Sequence, residues 1–449
     1  MRRLILTWFL LLTGLTTIVA QTMNLTQCIV YALEHNLSYT NKNIEATISN
    51  EQYLQARRDF LPFISAGSSG VKSYGRSIDP TTNTFITQDF LALNFNLDLQ
   101  LELFRGFSRL NAIRFQKLQY QISNEELKQK EMEIAFMVMN SYYDALYFRN
   151  LEEIMQEQVR LTALNVEKTR KMIDLGLKAE SDILEITAQE ASELHQLILA
   201  QNQYEMAMLT LKNLMYFPAD TQLYIESELM PASGDALINP DSVYRIAFQH
   251  MPGVRIAEFR TEASKKNLAM TRAGMIPRLT TGSGIYTNFA DSRMAQVFPN
   301  DPDNNELNTV PFADQWEQNM SQSLYLSLQV PIFSKWSQMS QVKNARLEQQ
   351  MAINARHEEQ LKLYQLINED IQQLQSLRNE RNLLKAKKDA IQEAYTIAEK
   401  KLDKGLISII ELYMAKNQLS QAEADWMRIR LQLRVKETTI RFYLGEKIY

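Results

Sequence analysis

The sequence runs to 449 residues with only 13 glycines and 11 prolines, a composition that excludes a loop-rich or all-β chain and calls for long, unbroken helices. One cysteine excludes an intrachain disulfide. A formal charge of −4 removes any electrostatic case for nucleic acid.

Residues 1–20 read as a signal peptide. Arg2 and Arg3 precede an apolar run, and Ile18 and Ala20 stand where a signal peptidase requires small or apolar side chains. A retained anchor is the alternative, but Gly14 and several threonines interrupt the run. No later stretch approaches the ~18 consecutive apolar residues of a transmembrane helix. An exported chain of this kind would cross a membrane only by strands.

From residue 24 a helix is predicted to run to 61, where Pro62 stops it. A strand follows ("FISAGSSGVKSY"), then a polar loop over 75–89, then "LALNFNLDLQLEL" over 91–103. In that last stretch every odd position is apolar, including Leu93, Phe95, Leu97, Leu99 and Leu101. The even positions hold Ala92, Asn94, Asn96, Asp98, Gln100 and Glu102. Strict period two means one apolar and one polar face. A helix over 104–175, a break at Gly176 and a return helix over 182–215 complete the unit.

After a Pro-, Ser- and Gly-bearing linker at 218–240 the pattern recurs. A displacement of 215 carries "ALEHN" at Ala32 onto "AFQHM" at Ala247, Pro62 onto Pro277 and Gly67 onto Gly282. Beyond the hairpin loop the displacement becomes 229, carrying Leu99 onto Leu328 and Asp174-x-Gly176-Leu177 onto Asp403-x-Gly405-Leu406. We therefore read residues 21–217 as one structural repeat, with its hairpin at about 62–104, and 241–449 as the second, with its hairpin at about 277–333. The second hairpin's loop over 288–320 is rich in Asn, Asp and Pro, and its return strand again alternates through Leu324, Leu326, Leu328, Val330 and Ile332.

The long helices would each span roughly 105 Å, about the sum of the two shorter helices beside them. Coiled-coil seams are expected along the return helices. Leu412, Leu419, Trp426, Leu433 and Ile440 form one, and Ile183, Leu197, Tyr204 and Leu211 the other, interrupted at Glu190.

Thirteen alternating residues span roughly 43 Å, longer than a soluble strand needs and enough to cross hydrocarbon. A lipid-exposed barrel strand requires one apolar and one polar face. Four strands cannot close a barrel, and an open edge is not tolerated in lipid, so several copies must pool their strands.

The signal peptide, the duplicated helix–hairpin–helix–helix unit, "VPIF" leading into a long helix, and Gly-Leu turns followed by an acid make the chain similar to the TolC family of outer-membrane efflux proteins. The resemblance covers essentially the whole mature chain. It implies a mainly α fold with a membrane β-barrel portion: a homotrimer with a 12-stranded barrel in outer-membrane lipid, continuous with a periplasmic coiled-coil tunnel. It also implies a passive exit duct for efflux or type I secretion, docking to a periplasmic adaptor and an inner-membrane transporter, with drugs and toxic compounds as expected cargo. A soluble periplasmic coiled-coil adaptor or scaffold is the alternative.

By the same resemblance the turns "DLGLKAESDILE" and "DKGLISIIELYM" form the tip. Gly176, Leu177, Gly405 and Leu406 would meet the adaptor, and Glu411, with Asp182 at the equivalent place, would line the pore entrance. Met414 and Ile407 replace an acid and a base common in relatives, which weakens the case for the family's closed-state latch. Ser408-x-x-Glu411 is also a capping box, so Glu411 has two readings, cap and pore lining, that can hold together.

No catalyst, cofactor or metal site is expected. His35, His195, His250 and His357 are scattered, and "GSSGVKS" at Gly67 lacks phosphate-loop spacing and lies among strands.

Overall fold

The computed structural model describes residues 21–78, 83–177, 179–226, 238–296 and 307–449. The predicted leader, parts of both hairpin loops and part of the linker lie outside those residues. In chain order the first half holds β1 (Gln21–Met23), α1 (Leu25–His35), α2 (Leu37–Arg58), β2 (Phe63–Ser73), β3 (Arg76–Ile78), β4 (Phe85–Thr87), β5 (Phe90–Arg105), α3 (Ser108–Asp174) and α4 (Glu180–Met215). The second half holds β6 (Leu223–Ile225), α5 (Pro240–His250), α6 (Pro252–Ala273), β7 (Arg278–Ala290), β8 (Met294–Gln296), β9 (Leu307–Thr309), α7 (Phe312–Gln318), β10 (Ser321–Gln329), α8 (Ser337–Asp403) and α9 (Ile409–Tyr443).

Element lengths recur: 11 residues in α1 and α5, 22 in α2 and α6, and 67 in both α3 and α8. The helix expected over 24–61 is two helices. Asn36 ends α1 in extended backbone and caps α2, its Oδ1 accepting from the amides of Ser38 (2.9 Å) and Tyr39 (3.1 Å). In the second half Met251 makes the same break, because the following Pro252 disfavours helical backbone at the residue before it. The short side chain of Asn competes with helix continuation, a local signal that a periodicity reading overlooks.

The long helix begins at Ser108, not at 104, and the strand continues to Arg105. Two consecutive left-handed residues, Gly106 and Phe107, turn the chain between them, and Lys335 and Trp336 do the same before α8. Left-handed backbone costs a non-glycine residue about 1–2 kcal/mol, so this geometry is imposed by what it joins. At Gly106 a Cβ would meet the Cβ of Ile276 at 2.9 Å and of Ala273 at 3.1 Å, so glycine is required there twice over.

By contacts the chain divides into two compact units. One gathers the described residues up to Ala46 with Ile122–Ala257 and Ala355–Tyr449. Its first core joins Cys28, Ile29 and Ala32 of α1 to Ile134, Val138, Met139 and Tyr142 of α3 and Leu211 and Met215 of α4. Its second joins Val243 and Ala247 of α5 to Ile367, Ile371 and Leu374 of α8 and Leu433 and Ile440 of α9. β1 pairs in parallel with β6, inside the segment expected as linker, and Arg149 and Tyr142 of α3 donate to the carbonyls of Ile225 (2.6 Å) and Glu226 (2.7 Å).

The α9 seam lies largely where its heptads place it, with Leu412, Leu419, Leu433 and Ile440 buried and Trp426 half-buried against the second core. On α4 the buried stripe is Ile186, Glu193, Ala200, Met208, Leu211 and Met215. Of the expected seam Leu211 is fully buried, whereas Ile183, Leu197 and Tyr204 are half-buried and the first half of the stripe runs three positions along. Glu193 is tolerated there because Lys416 of α9 reaches it at 3.1 Å. The Lys416 Nζ also donates to Gln158 O (2.5 Å) and Thr162 Oγ1 (2.7 Å), while Thr162 donates to Glu193 (2.6 Å) and Gln189 to its other oxygen (3.0 Å). Burial lowers the Lys416 pKa, against the pull of Glu193.

The other unit, Thr47–Gln121 with Glu258–Asn354, holds a four-stranded antiparallel sheet in the order β10-β7-β5-β2. The loops expected around 75–89 and 288–320 carry the short pairs β3–β4 and β8–β9, and helix α7. α7 is held by the buried Gln315, whose side chain accepts from Ala290 N (3.0 Å) and donates to the carbonyls of Ala290 (2.9 Å) and Val310 (2.8 Å). That side chain stands in for a neighbouring strand's backbone at the end of β7.

Two outcomes test these cores. Burial pushes the Cys28 thiol up to about 12, leaving no thiolate near neutral pH. A thiol reagent should leave the native protein unmodified and label the lone cysteine once the chain is denatured; native labelling would show this core to be open. Lys416→Met should destabilise by about 3–5 kcal/mol, because Glu193 is left buried and unpaired, and adding Glu193→Met should recover most of that loss. Denaturant unfolding in detergent reads both, and a double variant as weak as the single would show the pair is not coupled.

Candidate functional site

The register of the sheet sorts its side chains into two faces. One carries rows of Ala66, Leu97, Ile285 and Gln322; Ile64, Leu99, Ser283 and Leu324; and Leu101, Thr281 and Leu326. Leu93 and Phe95 extend this face beyond the first row. The other face carries Gly67, Asn96, Tyr286 and Ser321; Ser65, Asp98, Gly284 and Ser323; Phe63, Gln100, Gly282 and Tyr325; and Glu102 with Thr280. Glycines on the polar face leave room for its longer neighbours: the ring of Tyr325 lies across Gly282, and Asp98 Oδ1 would be 3.1 Å from a Cβ at Gly284.

The strict alternation read from residues 91–103 does not survive to its end. A bulge between Glu102 and Phe104 leaves Leu103 unpaired, and Phe104, not Leu103, joins Leu279 and Leu328 on the apolar face. Val330 lies just beyond β10, which ends at Gln329. The extra residue shifts the phase of the strand by one, and apolar side chains at both Leu103 and Phe104 hide that shift in the sequence.

Aromatic rings mark both ends of the apolar face. At one end Phe95 meets Trp316 (5.0 Å) and Phe312 (6.0 Å), and Phe289 meets Phe312 (5.4 Å). At the other Phe104 meets Phe107 at 5.4 Å. Phe95 and Phe104 lie roughly 30 Å apart along the strand, or about 23 Å in height at the tilt of a membrane barrel. That matches the ~25 Å apolar band between aromatic girdles in such barrels. The sequence signal was the "PFADQW" of α7, which polar neighbours and prolines disguise as loop.

The two glycine turns end α3 and α8 in the same way. Gly176 and Gly405 are left-handed (φ 71° and 69°), and the amides of Leu177 and Leu406 return to the carbonyls of Met172 (2.8 Å) and Lys401 (2.9 Å). Leu177 and Leu406 are 67% and 68% exposed. Lys168 of one turn region pairs with Asp403 of the other at 2.6 Å. The capping box forms: Glu411 N donates to Ser408 Oγ (3.2 Å), and Ser408 N to Glu411 Oε1 (3.4 Å). Asp182 stands in the first turn of α4, whose cap residue Ala179 supplies no side-chain bond. Both acids thus face the positive end of a return helix, and Glu411 stays exposed while capping.

One charged group escaped the sequence reading. At the foot of the polar face Glu102 lies among Arg105, Arg109 and Arg278. Arg105 and Arg278 sit directly opposite each other in the register, a juxtaposition no linear spacing reveals. Elsewhere, His35 and His250 each bond the carbonyl four residues earlier, at 2.9 Å, as paired structural groups would. "GSSGVKS" lies within β2 and forms no phosphate loop. Among the described residues no three His, Cys, Asp or Glu side chains gather as a metal site, and no helix is long and apolar enough to cross a membrane.

Known proteins place this geometry. The fold aligns with the outer-membrane protein VceC of Vibrio cholerae over 95% of this chain and 97% of that one (TM-score 0.75, 14% identity). It aligns with the CmeC outer-membrane channel of Campylobacter jejuni over 94% and 87% (TM-score 0.77, 15% identity). Among curated proteins, the pyoverdine export outer membrane protein OpmQ of Pseudomonas putida is 20% identical over 302 residues, 64% of this chain and 58% of that protein. The chain thus spans less than two thirds of that relative. All three are named as outer-membrane proteins, CmeC as a channel and OpmQ as an export protein. Residues 29–215 and 243–446 match the family model "Outer membrane efflux protein", and the chain belongs to that family.

Proposed function

We propose that this protein is the outer-membrane exit duct of a tripartite export system, acting as a homotrimer that passively conducts small molecules handed to it from the periplasmic side. The observation that carries this reading is the sheet. It has one apolar face bounded by aromatic rings, one polar face, and two edges, β2 and β10, that no strand among the described residues covers. In hydrocarbon those edges require partners, and three copies supply twelve strands. Leu93, Phe95, Leu97, Leu99, Leu101, Leu326 and Leu328 then face lipid, with Val330 at the margin, and the polar face lines the lumen.

Residues 21–217 and 241–449 are the two copies of the repeating unit, joined by the linker at 218–240, and the turns at Gly176–Leu177 and Gly405–Leu406 are the tip that meets an adaptor protein. Their exposed leucines supply the apolar contact for that docking. Glu411, with Asp182, rings the entrance and favours cations there. The pyoverdine-exporting relative supports a small-molecule cargo over a secreted polypeptide.

Two measurements test the reading. Leu97→Arg should cost about 2–4 kcal/mol of stability and reduce the trimer recovered from membranes, whereas Asn96→Arg, one residue along on the lumen face, should be tolerated; equal effects would refute the assigned faces. In planar bilayers the wild type should conduct with a cation preference that Glu411→Ala diminishes. Unchanged preference and conductance in that variant would remove Glu411 from the entrance.

A further inference from the structure

We propose that the cleft at the foot of the sheet's polar face is an oxyanion site, binding carboxylate, phosphate or sulfonate groups of solutes in transit; it rests on the channel reading above. The cleft measures about 570 Å³ and is lined by four arginines, Arg58, Arg105, Arg109 and Arg278, against two acids, Asp59 and Glu102. The chain as a whole is negative, at −4. A local excess of positive charge in one recess therefore runs against the composition.

The excess is not neutralised from within. Glu102 is spoken for by Arg109, whose Nε lies 3.2 Å from its Oε1 and whose other nitrogen donates to the Glu102 carbonyl at 2.8 Å. Arg105 and Arg278 approach Glu102 only to 3.9 Å, beyond hydrogen-bond reach. The Nε of Arg278 is enclosed and has no acceptor. Arg58 is matched by Glu51, outside the cleft. Two opposed guanidiniums from β5 and β7 are thus left with one shared, already engaged carboxylate. Their planar forks suit a bidentate oxyanion better than any point charge. The first turn of α3 reaches the same cleft at Ser108 and adds the positive end of a helix.

The face decides which oxyanion. Arg105 and Arg278 share a register row with Gln329, on the side of Asp98 and Glu102 and opposite Leu279 and Leu328. A lipid headgroup would be met from the apolar side; this cleft opens on the lumen side, where a dissolved solute passes.

Titration calorimetry of inorganic pyrophosphate into the full-length protein in detergent tests the site. The wild type should bind saturably and more weakly as salt rises. Arg105→Gln/Arg278→Gln should weaken binding at least about tenfold. Glu102→Gln, which removes the competing carboxylate, should tighten it about fivefold. Absent saturable binding, or unchanged affinity in both variants, overturns the site. Should the double variant not fold, failure of Glu102→Gln to tighten binding overturns it alone. Bilayer conductance of the same wild-type preparation separates the two ideas: a conducting protein that ignores pyrophosphate loses the site and keeps the channel, whereas a protein that never conducts loses the channel reading itself.

Discussion

A strand in hydrocarbon must find a partner for every backbone N–H and C=O, on both of its sides. Among the described residues the four-stranded sheet satisfies that demand internally between β10, β7, β5 and β2 and leaves it open along both outer edges. β10 is exposed along its whole length and β2 almost so. In a water-soluble protein such edges would be blunted by charge, proline or a covering loop. Here β10 reads Ser-Gln-Ser-Leu-Tyr-Leu-Ser-Leu-Gln, with no charge at all. The edges look built for pairing, and the proposed trimer follows from unsatisfied hydrogen bonds more than from any side-chain patch.

The same economy of partners runs through the helical unit. Its helices bury narrow stripes, so each polar group placed on a stripe must be answered from a neighbouring helix. Lys416 and Glu193 show how: an amine and a carboxylate that would each be costly alone pair with each other and share the Thr162 hydroxyl, and the amine also donates to the Gln158 carbonyl, across three helices. A buried pair of this kind adds little net stability over an apolar seam, but it admits only one register of α9 against α3 and α4. By contrast the foot of the sheet leaves two arginines without a full answer, and it is there that an outside ligand fits.

Much of this was legible in residues. The two-faced strands and the glycine turns rest on short-range chemistry: a period of two, a residue that tolerates positive φ. The capping box at Ser408 and Glu411 belongs to the same class, since four consecutive residues contain everything it needs. Missed features involve residues far apart or signals of equal polarity. The bulge at Leu103 is hidden between two apolar side chains, and the first half of the α4 seam slipped by three positions, while Leu211 held its place, because the sequence offers Ile183 and Ile186 as equally good starts. The break at Asn36 turns on one side chain reaching back to the backbone two and three residues on.

By itself, then, the sequence determined which long segments are helix and strand and which face of the alternating strands is apolar. Hydrophobic period and backbone preference act within a few residues, so they survive without a fold. Only the tertiary structure decided which helix answers a buried charge, where a strand changes phase, and which arginines converge on one carboxylate. Those depend on register between segments up to some hundreds of residues apart, as with Glu102 and Arg278 or Glu193 and Lys416. Register is settled by packing and hydrogen bonding summed over whole elements, and no local window contains that sum.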